Sequence, residues 1–166
     1  MKDIEESIYA KKAGALFMEG CNCAQSVFLA FQEFYDIDEK TAMKLSSSFG
    51  GGMGRLREVC GAVSGMFMVA GIIYGYDSPT DREGKTEHYR RIQQLAHAFE
   101  EQNGSIVCRE LLGLSNKKDD PVPSKRTKEY YKKRPCRELV ETAAAILEEY
   151  MEEQGKGDFC ENNHVN

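Results

Sequence analysis

The run Val59–Gly75, VCGAVSGMFMVAGIIYG, carries no charge over seventeen residues, and its reading decides the fold. That length is at the short limit of a helix that crosses a bilayer. Gly61, Gly65, Gly71 and Gly75 stand in small-xxx-small spacing, which lets neighbouring helices approach closely. A central helix buried on all sides explains the same features, because a helix that is apolar all round belongs in a protein core. The reading adopted is a buried, glycine-rich central helix. The preceding stretch completes FGGGMGRLREVCGAVSG, Phe49–Gly65, which packs six glycines around one thiol, Cys60. Gly50, Gly51, Gly52 and Gly54 can take positive φ and bring backbone N–H groups close to a charged group. The loop lacks the Gly-Lys-Ser/Thr ending of a phosphate-binding loop and follows no strand, so no nucleotide site is expected.

Outward from this segment the pattern is helical. Asp3–Met18 places Ile4, Ile8, Ala15 and Leu16 at roughly helical spacing, and Gly20 reads as a stop. Asn22–Phe34 carries the face Val27, Phe28, Phe31 and Phe34, and Asp38 caps a third helix to about Phe49. A long polar helix spans Thr80–Gln102, a short one Ser105–Leu112, and a last one Pro135–Gln154. Asn116–Arg126, NKKDDPVPSKR, reads as a loop unable to bury a face. No alternation of strand length appears. The expectation is an all-α, compact single-domain bundle of six or seven helices over residues 1–154, with 155–166 as a flexible tail.

The net charge of −5 argues against nucleic acid or an anionic membrane as partner. The acidic start MKDIEESIYA lacks the basic and apolar regions of a signal peptide, so the cytoplasm is expected, where thiols stay reduced. Six cysteines in that compartment point to metal or redox chemistry rather than to a disulfide framework.

Four of the six fall at expected helix starts. Cys23 follows Asn22, Cys60 opens the apolar helix, Cys108 follows Ser105 by three residues, and Cys136 follows Pro135. The first turn of a helix offers unpaired N–H groups and partial positive charge, which favour a thiolate, and the thiolate is both nucleophile and metal ligand. Arg109 and Arg137 add charge next to two of them, and Arg55 and Arg57 lie near Cys60. The word CREL opens at both Cys108 and Cys136, which suggests two similar environments. Buried small hydrophobes are the plain alternative for each cysteine taken singly.

The segments EGCNCAQSV, FGGGMGRLREVCGAVSG, SIVCRELLG and RPCRELVETAAAIL, in this order, resemble the C_GCAxxG_C_C family of small bacterial and archaeal proteins described as redox-active. The resemblance runs from about Gly14 to Leu147. It implies that Cys23, Cys60, Cys108 and Cys136 are the functional residues, with Gly61 beside them at a cofactor. Cys21 and Cys160 fall outside the pattern, although Cys21 makes a Cys-x-Cys pair with Cys23. The chain also looks similar to part of the split-Soret cytochromes, which carry haem and an iron–sulfur site. No C-x-x-C-H is present, so covalent haem of that type is not expected.

Three readings follow. Four cysteines hold an iron–sulfur cluster, although spacings of 37, 48 and 28 residues match no standard ferredoxin run. Or two of them cycle between dithiol and disulfide. Or the chain is a non-enzymatic module whose cysteines hold zinc or simply pack, and four singletons are unusual for structural zinc. The partner expected is an unidentified redox protein, and the apolar surplus leaves a homodimer interface open. His88 and His97, on the polar helix, read as solvated or core residues rather than ligands. Glu110 and Glu138 read as capping or solvated residues rather than proton relays.

Overall fold

The computed structural model describes residues 2–115 and 118–155. The all-α expectation holds. Among the described residues no strand forms, and one isolated antiparallel bridge joins Val59 to Val107.

Side-chain caps fix most helix starts. Helix α1 (Ile8–Met18) begins where the Ser7 hydroxyl accepts the Ala10 amide at 2.9 Å. That start is later than the expected Asp3, because Ser7 is fully buried and its hydroxyl donates to the buried carboxylate of Glu148. Helix α2 (Cys23–Ala30) is opened by a capping box between Asn22 and Gln25. It stops short of the expected Phe34, and a single 3₁₀ turn, Gln32–Phe34, follows. Helix α3 (Glu39–Ser47) is capped by Asp38. The glycine run forms a four-residue turn, α4 (Gly50–Met53), with Gly51 and Gly52 in the left-handed region.

The central helix α5 (Gly61–Tyr74) is buried along its first half, from Gly61 to Met66, and at Val69 and Ala70. Its far end reaches the surface, where Ile72 is 42% exposed, so the helix is not buried on all sides as the sequence suggested. Among the described residues no helix is long and apolar enough to cross a membrane. A Cβ on Gly65 would sit 2.7 Å from the Ala24 carbonyl oxygen, so the glycine is what lets α2 cross α5 at backbone contact.

Helix α6 (Arg82–Asn103) buries only Leu95 and Phe99 and lies over α5 and α9. Helix α7 (Cys108–Leu111) is one turn. Helix α8 (Lys128–Lys133) has no counterpart in the sequence reading. Helix α9 (Cys136–Glu153) packs against α1, α2, α5 and α6. The core gathers Phe17, Phe28, Phe31, Val63, Met66 and Leu147, each at most 1% exposed, and burying one such side chain contributes about 1.5–3 kcal/mol. The expected tail, 155–166, lies outside the described residues except for Gly155, and so does Cys160.

Candidate functional site

Each of the four singled-out cysteines stands at a helix start. Cys23, Cys108 and Cys136 are the first residues of α2, α7 and α9, and Cys60 is the N-cap of α5. All four line one cavity of about 60 Å³, together with Gly61, Arg57, Arg126, Tyr130 and Arg134. Cys60, Cys108 and Cys136 are buried and Cys23 is half-buried.

Local backbone contacts bring three of the four starts together. The Cys60 amide donates to the Ile106 carbonyl at 2.8 Å, and the Cys108 amide donates to the Glu58 carbonyl at 2.6 Å. These bonds flank the Val59–Val107 bridge and tie the start of α5 to that of α7. The bridge holds Val107 extended, so Val107 rather than Ser105 precedes the first helical residue of α7. The Ser105 hydroxyl instead accepts the Val107 amide and donates to Glu110. Gly61 joins the start of α5 to that of α2. A Cβ there would meet the Phe49 carbonyl at 2.9 Å and the Cys23 Cβ at 3.1 Å. The glycines around Cys60 thus permit close approach.

The left-handed run extends beyond the glycines to Met53 (φ 63), Arg55 (φ 69) and Arg57 (φ 62). Non-glycine residues in that region carry about 1–2 kcal/mol of strain each. Asp119 helps hold the two arginines there. It accepts from Arg57 Nε at 2.8 Å and from Arg55 at 3.4 Å, and the Arg57 guanidinium keeps its carboxyl below the usual range. The stretch around Asp119, read from sequence as a loop unable to bury a face, is therefore docked against the site.

The thiols are not equivalent. Cys23 and Cys136 hydrogen-bond to each other. That bond pushes the Cys136 thiol down to about 7, against desolvation, with help from Arg134, Arg126 and Arg57. The same bond and burial push Cys23 well up. Desolvation pushes Cys60 up to about 12, opposed by the Ala62 and Val63 amides. Desolvation also raises Cys108, although Arg57 Nη1 lies 3.6 Å from its sulfur. The result is one readily ionised thiol, Cys136, beside one that keeps its proton. Alkylation of Cys136 by iodoacetamide should therefore rise through a midpoint near pH 7, falling about tenfold per pH unit below it as the thiolate is lost. Mass mapping against pH reads this, and a midpoint near 9 contradicts the pairing.

Of the arginines that do this work, only Arg57 was singled out by sequence. Arg109 pairs with Glu58 and Arg137 with Glu141, and neither lines the cavity. Arg126 and Arg134 were missed. Their signal was the basic, tyrosine-containing run KRTKEYYKKRPC leading into Cys136. The histidines stand apart, His97 exposed against Glu101 and His88 edge-on to Tyr76. Cys21 does not line the cavity, and burial raises its thiol.

An iron–sulfur cluster needs thiolates facing one centre. The donor types suit it. All four cysteines line one cavity, but among the described residues no group of three or more His, Cys, Asp and Glu is gathered round a single metal ion.

Residues 21–150 match the model of the family described as "Putative redox-active protein (C_GCAxxG_C_C)". No curated protein and no solved structure matches the chain.

Proposed function

The chain belongs to the C_GCAxxG_C_C family, and from that premise we propose that it works as a thiol–disulfide redox protein with Cys136 as nucleophile and Cys23 as its resolving partner. The observation that carries this reading is the placing of Cys23 and Cys136 at two helix starts on one cavity, where their interaction lowers the Cys136 thiol and raises that of Cys23. Cys136 Sγ attacks one sulfur of a substrate disulfide, forming a mixed disulfide and releasing the other half as thiolate. Cys23 gives up its proton, attacks Cys136 Sγ and releases the second half. The substrate gains two electrons, and the protein is left with a Cys23–Cys136 disulfide for a dithiol partner to reduce.

Cys60 and Cys108 remain thiols in this cycle and close the inner wall of the cavity. Arg57, Arg126 and Arg134 supply the positive field that stabilises the thiolate before attack.

The test is made on protein purified without oxygen, with metal, sulfide and thiol analysis before and after mild oxidation. The expected result is colourless protein that loses two of its six thiols, with Cys23 linked to Cys136 in the peptide map. Broad visible bands with iron and sulfide near two per chain would establish the cluster instead. Six thiols surviving oxidation would leave inert packing.

A further inference from the structure

We infer that the cleft at the mouth of the cysteine cavity is a binding site for a small anionic disulfide, held by Arg55, Arg57, Arg126 and Arg134. This rests on the thiol reading above and names the substrate class for it. The cleft has a volume of about 200 Å³ and shares Arg57, Arg126, Tyr130 and Arg134 with the inner cavity. A molecule entering it therefore approaches the Cys23–Cys136 pair through a ring of guanidinium groups.

The charge is not cancelled locally. Arg55 and Arg57 share the single carboxylate of Asp119. Arg126 donates to the carbonyls of Phe17 and Cys21, both at 2.9 Å. Arg134 lies over the Tyr130 ring at 5.1 Å. Among the described residues neither Arg126 nor Arg134 pairs with a carboxylate. Four cations against one carboxylate and the Cys136 thiolate, at one concavity of a chain with net charge −5, concentrate positive potential where low-dielectric walls focus it. Guanidinium forks match carboxylate and phosphate geometry. Tyr130 offers an apolar wall to the organic part of the ligand. The volume suits a small molecule rather than a protein loop.

The reduced protein, in a Cys21→Ser, Cys160→Ser background, is mixed with three disulfides: dithiobis(nitrobenzoate), a dianion; dithiodipyridine, neutral; and cystamine, a dication. Rates are normalised to those of free cysteine. The expected order is dianion, neutral, dication, with a spread of about tenfold or more that collapses in high salt. Arg134→Gln raises the Cys136 thiol and so slows all three, but it should slow the dianion about threefold or more beyond its effect on cystamine, and Arg134→Lys should keep the order. Equal normalised rates overturn the proposal. So does an Arg134→Gln variant that slows all three alike, since Arg134 would then act only on the Cys136 thiolate.

If no probe reacts, the thiol reading fails and the substrate with it. A parallel calorimetric titration with inorganic phosphate separates the two failures. Binding that Arg134→Gln weakens places the fault in the thiols, and no binding places it in the cleft.

Discussion

Replacing Cys136 with serine should lower the rate of reaction with disulfides at pH 7 by about a hundredfold and abolish disulfide formation. With its thiol near 7, Cys136 is about half ionised at that pH, whereas an ordinary thiol is a few per cent ionised. Cys60, raised to about 12, is almost wholly protonated, and Cys23 and Cys108 are raised as well. No other member of the cavity can replace the lost thiolate. Cys23→Ser should behave differently. Its hydroxyl can still donate to the Cys136 sulfur, so the first attack survives while resolution stops, and the mixed disulfide accumulates. Stopped-flow rates and intact mass separate the two variants. A Cys136→Ser protein that still closes a disulfide would show that the wrong pair has been named.

The helix starts behind this prediction were legible because capping is local chemistry. Asn22 and Asp38 announce their helices, and Pro135 stands immediately before Cys136. Ser105 misled, since a tertiary bridge at Val107 overrode its local preference. The asymmetry between Cys23 and Cys136 was not legible at all. It arises from an interaction between residues far apart in sequence and from arginines that include Arg126, the end of a stretch that reads as a loop unable to bury a face, and Arg134 beyond it. Charge runs look alike in sequence whether they face water or a buried sulfur.

Gly52→Ala should destabilise the fold by about 2–5 kcal/mol, the sum of left-handed strain and overpacking. Gly52 is buried with φ 68 and ψ 64. An added Cβ would lie 2.6 Å from the Cys108 Cβ and 3.0 Å from the Glu58 amide nitrogen. That amide donates to the Gly52 carbonyl at 3.2 Å, so the turn cannot shift without loosening the Arg57–Cys108 wall. For a chain of this size the loss corresponds to a fall in Tm of roughly 5–15 °C. Gly54→Ala is the control. Its φ is 62, but the nearest heavy atom to a Cβ there is the Ser48 carbonyl at 3.8 Å, so it carries strain without the clash. Thermal melts of both compare the two effects. Equal losses would mean that the contact with Cys108 is not tight. The glycine run was visible in the sequence, but which glycine meets a neighbour could not be read from glycine content. Only the fold places Gly52 under α7 while leaving Gly54 open.

The four thiols are drawn from the whole length of the chain, and the last of them opens α9, which packs against α1, α2, α5 and α6. A ribosome delivers the polypeptide from the N-terminus, so Cys23 emerges long before Cys136 exists. Until α9 docks, the reactive pair has only one member, and the cations from the segment before it are missing. On the proposed mechanism the nascent protein therefore lacks its reactive pair until one late event, the docking of α9 on α1 and α2.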